Sequence, residues 1–322
     1  MPAVPKADNF SRLALTPNVV RTHVCVVLRQ YNAAADLLVE SVLLGNKPHK
    51  RGRLHRAIKT VNHSLAYARH LARGNHFAGD MAWTKPGTPP VLLTHGFLGT
   101  RGTMVPLTQR FQAAGRVVFS YHHGRFQLGS LRRSAQEMVA HLESLERELG
   151  VTQIDVVGFS MGGLVAMHAI KFMQAHRWIR RVALLGTPMN GTWASLAGVG
   201  TVGLVSPSVW QVLPTSGFLA DLRDAPMPPG IRVRQISAAE DALCPLPDVL
   251  QGVDRERDFI ILPGGHSSCV VAQPFYAKLR EFFDEPDPDL DIVGAQTDKP
   301  VLKPVVATPS DADTDADADA VA

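Results

Sequence analysis

Residues 154–170 read IDVVGFSMGGLVAMHAI. An apolar run of strand length, Ile154 to Phe159, meets a second apolar run of helical length that opens at Met161. Between them stands Ser160, with Gly158, Gly162 and Gly163 around it. Glycine at these positions removes side chains that would collide in a turn tight enough to push one hydroxyl outward. The Gly-x-Ser-x-Gly pattern alone is weak, since average residue usage yields one by chance in roughly one chain in ten of this length. Its setting is more specific: a strand before the serine, a helix after it and small residues between them predict a nucleophile elbow. The competing reading is an ordinary glycine-rich turn.

The same alternation continues on both sides. PPVLLTHG (89–96), GRVVFSYHH (115–123), IRRVALLGTP (179–188), IRVRQIS (231–237) and RDFIILPGG (257–265) read as strands. GSLRRSAQEMVAHLESLERELG (129–150) and PFYAKLREFF (274–283) read as helices. Apolar strands alternating with helices predict an α/β fold, a mostly parallel sheet covered by helices on both faces. Ligands of such sheets sit beyond the carboxyl ends of the strands, where Ser160 falls. Residues 191–230 interrupt the pattern with a long stretch rich in Gly, Pro and large apolar residues, which predicts a lid or cap.

A serine hydroxyl needs a base, and the base needs an acid to orient it. On this kind of fold the chain order is serine, acid, histidine. Of the histidines after Ser160, His168 and His176 belong to the following helix. His266 stands in LPGGHSS (262–268), a glycine-rich loop after the last strand, and is the candidate base. Glu240, Asp241 and Asp248 lie beyond the strand 231–237 and are the candidate acids. A tetrahedral intermediate also needs amide donors. Met161, directly after the serine, and Phe97, in THGFLGT (94–100), are the candidates for that hole. Leu98, Phe159, Trp210 and Leu213 are the candidate substrate-binding residues.

With these motifs in view, the sequence resembles bacterial lipases and carboxylesterases of the α/β-hydrolase superfamily over about residues 89–283. LLTHGFLGT (92–100) resembles the oxyanion-loop strand of that family and IDVVGFSMGGLVA (154–166) its serine loop. Phe159 stands where histidine is common. LLGTPMNGTWAS (184–195) is similar to the family's Gly-Thr-Pro-x-x-Gly-Thr strand end, with Met189 where histidine is frequent. QVLPTSGFLADLRD (211–224) resembles lid-side segments. The Ala-Leu-Cys-Pro after Asp241 resembles a turn that closes the acid loop in hydrolases, which favours Asp241 over Glu240 one residue away. The resemblance implies hydrolysis of acyl esters or lipids through a Ser160–Asp241–His266 triad and an acyl-enzyme, with no cofactor and no metal. A thioesterase or an acyltransferase would use the same residues. A catalytically silent, membrane-associated binding protein is the reading of a different class.

Composition narrows the partners. Eleven acids and two bases from Asp284 onward leave residues 1–283 with a net charge of +13. The tail 286–322 reads as disordered and acidic. Residues 1–76 read as a helical extension, with a helix at 18–44, a basic run KPHKRGRLHRAIK (47–59) and a second helix at about 53–73. A solvated helical hairpin is the preferred reading of that run, and peripheral contact with a membrane surface the sharper one. Nucleic-acid binding is disfavoured, because no recognition motif accompanies the charge. The catalytic domain is then 77–285. The N-terminal residues carry no secretory signal pattern and no run approaches a spanning length, so the expectation is a cytoplasmic protein. Three cysteines cannot frame the fold, although Cys244 and Cys269 are near enough in the scheme to pair. The sequence fixes no oligomeric state.

Overall fold

The computed structural model describes residues 50–74, 88–121, 127–194 and 206–286, except for the side chains of residues 50–55. The helix expected at 18–44, the boundary drawn at 76/77 and the acidic tail beyond residue 286 lie outside those residues. Two compact units are distinguished, residues 1–64 and 65–322. The described part of the first is helical, within the helix Lys50–Leu71, close to the 53–73 expected from the sequence.

The second unit is built on six strands: β1 (Val91–Thr94), β2 (Val118–Tyr121), β3 (Ile154–Phe159), β4 (Ile179–Leu185), β5 (Arg232–Ala238) and β6 (Phe259–Leu262). They lie in the order β2-β1-β3-β4-β5-β6, and each neighbouring pair is parallel. This is an α/β-hydrolase fold. The strands are apolar on both faces because both faces are covered. On one face Ile154 and Val156 pack with the helices Leu131–Leu149 and Met161–Phe172; on the other Val157 and Phe159 join Leu93, Phe111, Phe275 and Leu279. The helix Met161–Phe172 is buried from Met161 to Ile170, in keeping with a sequence that is apolar or glycine there except at His168. The chain runs outward from β1 to β2 and then crosses back to β3, so the order reverses at β1/β3. A crevice at the carboxyl ends of these two strands is the usual ligand position.

Two helices were not read from the sequence, Val105–Ala113 and the short Ser268–Val271. The 191–230 stretch contains two more, Pro207–Gln211 and Gly217–Asp224, while residues 195–205 lie outside the description. The described part of this insertion is pinned down. Gln211 Oε1 accepts the Leu131 amide at 2.7 Å, capping the helix Leu131–Leu149, and Ser208 Oγ donates to the Gln127 carbonyl at 2.8 Å.

Buried charges tie the ends of the sheet together. Arg181, fully buried in β4, donates to the carbonyls of Phe282, Phe283 and Glu285 at 2.7–3.0 Å, satisfying the free carbonyls of the last helix, Gln273–Asp284. Arg234 in β5 pairs with Asp258 and Glu285. Asp155 in β3 is wholly buried and accepts from Arg116 at 2.6 Å and from Arg180 at 2.9 and 3.0 Å. Removing one partner of such a cluster strands the others without solvent. Asp155→Ala should therefore cost about 3–5 kcal/mol, read as a lower urea midpoint with an unchanged slope.

Candidate active site

The backbone of Ser160 is held in an unusual state. It adopts φ 53° and ψ −127°, a region that a residue with a side chain enters only under constraint. Three contacts supply the constraint. The Ser160 amide donates to the Leu185 carbonyl at 2.9 Å, extending the β3–β4 ladder one residue past the strand. Its carbonyl accepts the Gly163 amide at 3.0 Å, which turns the chain into the helix. Thr187 Oγ1 donates to the Gly158 carbonyl at 3.1 Å, tying the end of β3 to the Gly-Thr-Pro segment after β4.

Close packing makes the glycines necessary. A Cβ on Gly158 would lie 2.4 Å from the Cα of Gly163, and a Cβ on Gly163 would lie 2.1 Å from Thr187 Oγ1. On the other side, a Cβ on Gly96 would lie 2.6 Å from the Cβ of Ser160. The loop after β1 therefore abuts the serine, with Phe97 next in sequence. Met161, the first residue of its helix, has an N–H with no intrahelical acceptor, and that helix end favours negative charge.

The acid and the base meet beside this turn. His266 Nδ1 and Asp241 Oδ2 are 2.7 Å apart. The other carboxylate oxygen, Oδ1, accepts the amides of Leu243 and Cys244 at 3.0 and 2.8 Å. Glu240, the one-residue alternative, turns elsewhere: Oε2 accepts the Gly264 amide at 2.5 Å and so ties the acid loop to the histidine loop. Asp248 accepts from Asn190 Nδ2 at 2.7 Å, and Thr192 Oγ1 donates to the Leu243 carbonyl at 2.6 Å. Both bonds brace the acid loop from the segment after β4. Burial is the largest single influence on His266 and opposes its charged form, but the charge and hydrogen bonding around it, those of Asp241 foremost, leave the imidazole pKa well above 6.5.

Ser160 and His266 are both nearly buried, yet no direct hydrogen bond joins them among the described contacts. The neighbour of Ser160 Oγ is Cys244 Sγ at 3.9 Å, and the same thiol is within hydrogen-bonding reach of His266. Cys244 and Cys269 are both free thiols here, so the pairing considered from sequence is not formed. The sequence already put Cys244 close to Asp241 and His266; its contact with Ser160 was not read there. Phe159, a candidate substrate residue, is buried instead, its ring 4.8 Å from that of His266 and 6.0 Å from that of Tyr67. It packs behind the imidazole. Leu98 is half-buried at φ 53°, Leu213 is half-buried and Trp210 is 46% exposed.

The sequence profile of the alpha/beta hydrolase family matches residues 91–321, most of the chain. The chain belongs to that family. No curated protein matches it in sequence. Among solved structures this hydrolase-family chain is similar to the Bacillus licheniformis lipase BlEst2 in its propeptide form, with a TM-score of 0.53 and 17% identity over 66% of this chain. It spans only about half of that relative, 54%. The mature form of the same lipase is matched over 97% of its length and 64% of this chain, at a TM-score of 0.49 and 16% identity. Aspergillus fumigatus lipase B is matched at 0.45 and 16% identity, over 61% of this chain and 48% of that one. At these identities the likeness is one of fold.

The tight glycine contact gives a direct test of the serine turn. Gly158→Ala should destabilise the protein by about 1–3 kcal/mol, and it should also lower reactivity at Ser160, because the added methyl forces the helix start away from the strand. Denaturant unfolding checks the first effect and the rate of fluorophosphonate labelling per folded molecule the second.

Proposed function

We propose that this protein is a serine hydrolase that cleaves carboxylic esters of acyl or lipid type. Ser160 is the nucleophile, His266 the general base and acid, and Asp241 the residue that orients His266. The observation that carries the reading is the 2.7 Å bond between His266 Nδ1 and Asp241 Oδ2 beside a serine held at φ 53°.

In this reading Ser160 Oγ attacks the ester carbonyl as its proton passes to His266, and Asp241 stabilises the imidazolium that results. The amides of Phe97 and Met161 hold the oxyanion, helped by the positive end of the helix Met161–Phe172. His266 returns the proton to the leaving alcohol. Water, activated by the same imidazole, then releases the acyl group. Ser160 Oγ must first rotate past the Cys244 thiol, consistent with catalytic hydrogen bonds that tighten only when substrate binds.

The apolar character of the substrate rests on the rim. Trp193, Trp210 and Leu246 are 60%, 46% and 47% exposed. They stand on three segments tied together by the bonds from Thr192 to the Leu243 and Val212 carbonyls. With Leu213 they offer an apolar bed for an acyl chain. No helix among the described residues is long and apolar enough to cross a membrane, so contact with a lipid substrate would be peripheral.

A fluorophosphonate should label the wild type and not Ser160→Ala, and that variant should lose about 10⁶-fold in kcat. Absence of labelling in the folded wild type would sink the proposal. A p-nitrophenyl ester series of increasing chain length then reads the acyl preference.

The pH profile is a separate check. The imidazole must be neutral to accept the proton, so activity should be lost as pH falls through its raised pKa, and the acid limb of kcat/KM should bend above pH 6.5. Asp241→Asn should move that bend to lower pH and reduce kcat by about 10⁴-fold.

A further inference from the structure

Cys244 is a reactive side chain at the site that ester hydrolysis does not use. Its position is set by the acid itself. Asp241 Oδ1 accepts the Leu243 and Cys244 amides, folding the chain into a turn that carries the thiol back over the carboxylate. The thiol is buried, lies 3.9 Å from Ser160 Oγ and contacts His266. One donor atom each from Asp241, Cys244 and His266 falls within 4.8 Å of the others.

Oxygen, nitrogen and sulfur donors converging from two braced loops form a set suited to a borderline-soft divalent cation. Zinc takes His nitrogen and carboxylate oxygen at about 2.0–2.2 Å and thiolate sulfur at about 2.3 Å, commonly from three protein side chains with a fourth position open. Tetrahedral ligands at those lengths stand about 3.5 Å apart, so donors within 4.8 Å of one another must draw together while His266 Nδ1 and Asp241 Oδ2, 2.7 Å apart, part slightly to share one ion. Asp241, Cys244 and His266 supply one oxygen, one sulfur and one nitrogen donor, and the hydroxyl of Ser160 lies 3.9 Å from the sulfur.

We propose that Asp241, Cys244 and His266 form an inhibitory site for a soft divalent cation of the zinc type. Binding replaces the thiol proton by a sulfur–metal bond and takes His266 as the neutral imidazole, so the thiol proton and any imidazolium proton leave to solvent, and no electron is transferred. The occupied site withdraws His266 and Asp241 from proton transfer and blocks the approach to Ser160. Only the inhibitory effect rests on the proposed Ser160–His266–Asp241 chemistry; the site itself does not.

Cobalt(II) makes the site visible without an activity assay. Titrating the chelator-treated, full-length protein with Co²⁺ should produce a thiolate-to-metal charge-transfer band and tetrahedral visible bands that saturate at one equivalent and are displaced by Zn²⁺. Cys244→Ser should abolish the charge-transfer band, and Cys269→Ser should keep it. His266→Ala, which leaves the thiol in place, should weaken Co²⁺ binding more than about tenfold. Zn²⁺ should inhibit ester hydrolysis more than about tenfold more strongly in the wild type than in Cys244→Ser, each measured against its own metal-free rate.

A missing charge-transfer band, or one of equal strength in Cys244→Ser, would overturn the metal site. Bands that depend on Cys244 in a protein inert to esters and to fluorophosphonate would uphold the site and overturn the hydrolase reading. Hydrolysis insensitive to Zn²⁺ despite such bands would overturn the inhibition alone.

Discussion

The contact between the end of β3 and the start of the next helix governs the whole arrangement. Gly158 lies so close to Gly163 that it has no space for a methyl group, and Gly163 has none because Thr187 packs against it. That approach forces the one residue caught at the corner, Ser160, to φ 53°. The strain is of the order of 1–3 kcal/mol and must be repaid by packing elsewhere. The repayment is visible in the helix Met161–Phe172, buried along ten successive residues between the sheet and its neighbouring helix. A serine turned outward at that corner has only one direction to face, toward the crevice at the reversal of strand order. The position of the hydroxyl is thus a consequence of backbone packing, settled before any partner is considered.

The partners arrive from strands whose ends are knitted to one another. Thr187, Asn190 and Thr192 follow β4, and their side chains bond in turn to the end of β3, to Asp248 and to the Leu243 carbonyl. Glu240 joins the acid loop to the loop of His266 through the Gly264 amide. Asp241 and His266 stand 25 residues apart in sequence but are each held from more than one side. Rigid support of this kind is what a proton-transfer geometry requires, since small misplacements cost large factors in rate.

Much of this was legible because it is local. The strand–turn–helix around Ser160 is written in seventeen consecutive residues, and the amphipathic pattern of Leu131, Met138, Leu142 and Leu145 reports a helix packed by one face. The helix Val105–Ala113 was less so: Pro106 at its first turn and the β-branched Val105 and Thr108 blur its signal, and Pro at that place marks a helix start only once the following residues are known to coil. The choice between Glu240 and Asp241 turns on which way two adjacent side chains point, and that depends on the amides of residues 243, 244 and 264. Phe159 shows the same limit. Its strand position was evident, but strand alternation buries it on the face where Phe275 and Tyr67 pack, and so puts its ring against that of His266. Cys244 was the least legible, because its meaning comes from the distance to Ser160, 84 residues earlier in the chain.

Burial sets the chemical character of the site as a whole. An imidazole taken out of water would ordinarily lose its proton more readily, and a thiol taken out of water would hold its proton more firmly. Cys244 follows that rule, its pKa pushed up by burial. His266 departs from it: burial is the largest single influence, yet the charge and hydrogen bonding around it, with the carboxylate 2.7 Å away foremost, leave its pKa raised. The two shifts act together. In the proposed reading, a thiol that stays protonated is a poor nucleophile and leaves attack to the serine hydroxyl, while a histidine biased toward its charged form is prepared for the imidazolium that attack creates. The same low-dielectric environment that keeps Cys244 silent would strengthen its hold on a cation once its proton had gone. In the proposed reading, one buried cluster favours ester chemistry when empty of metal and offers three donors to a metal that reaches it.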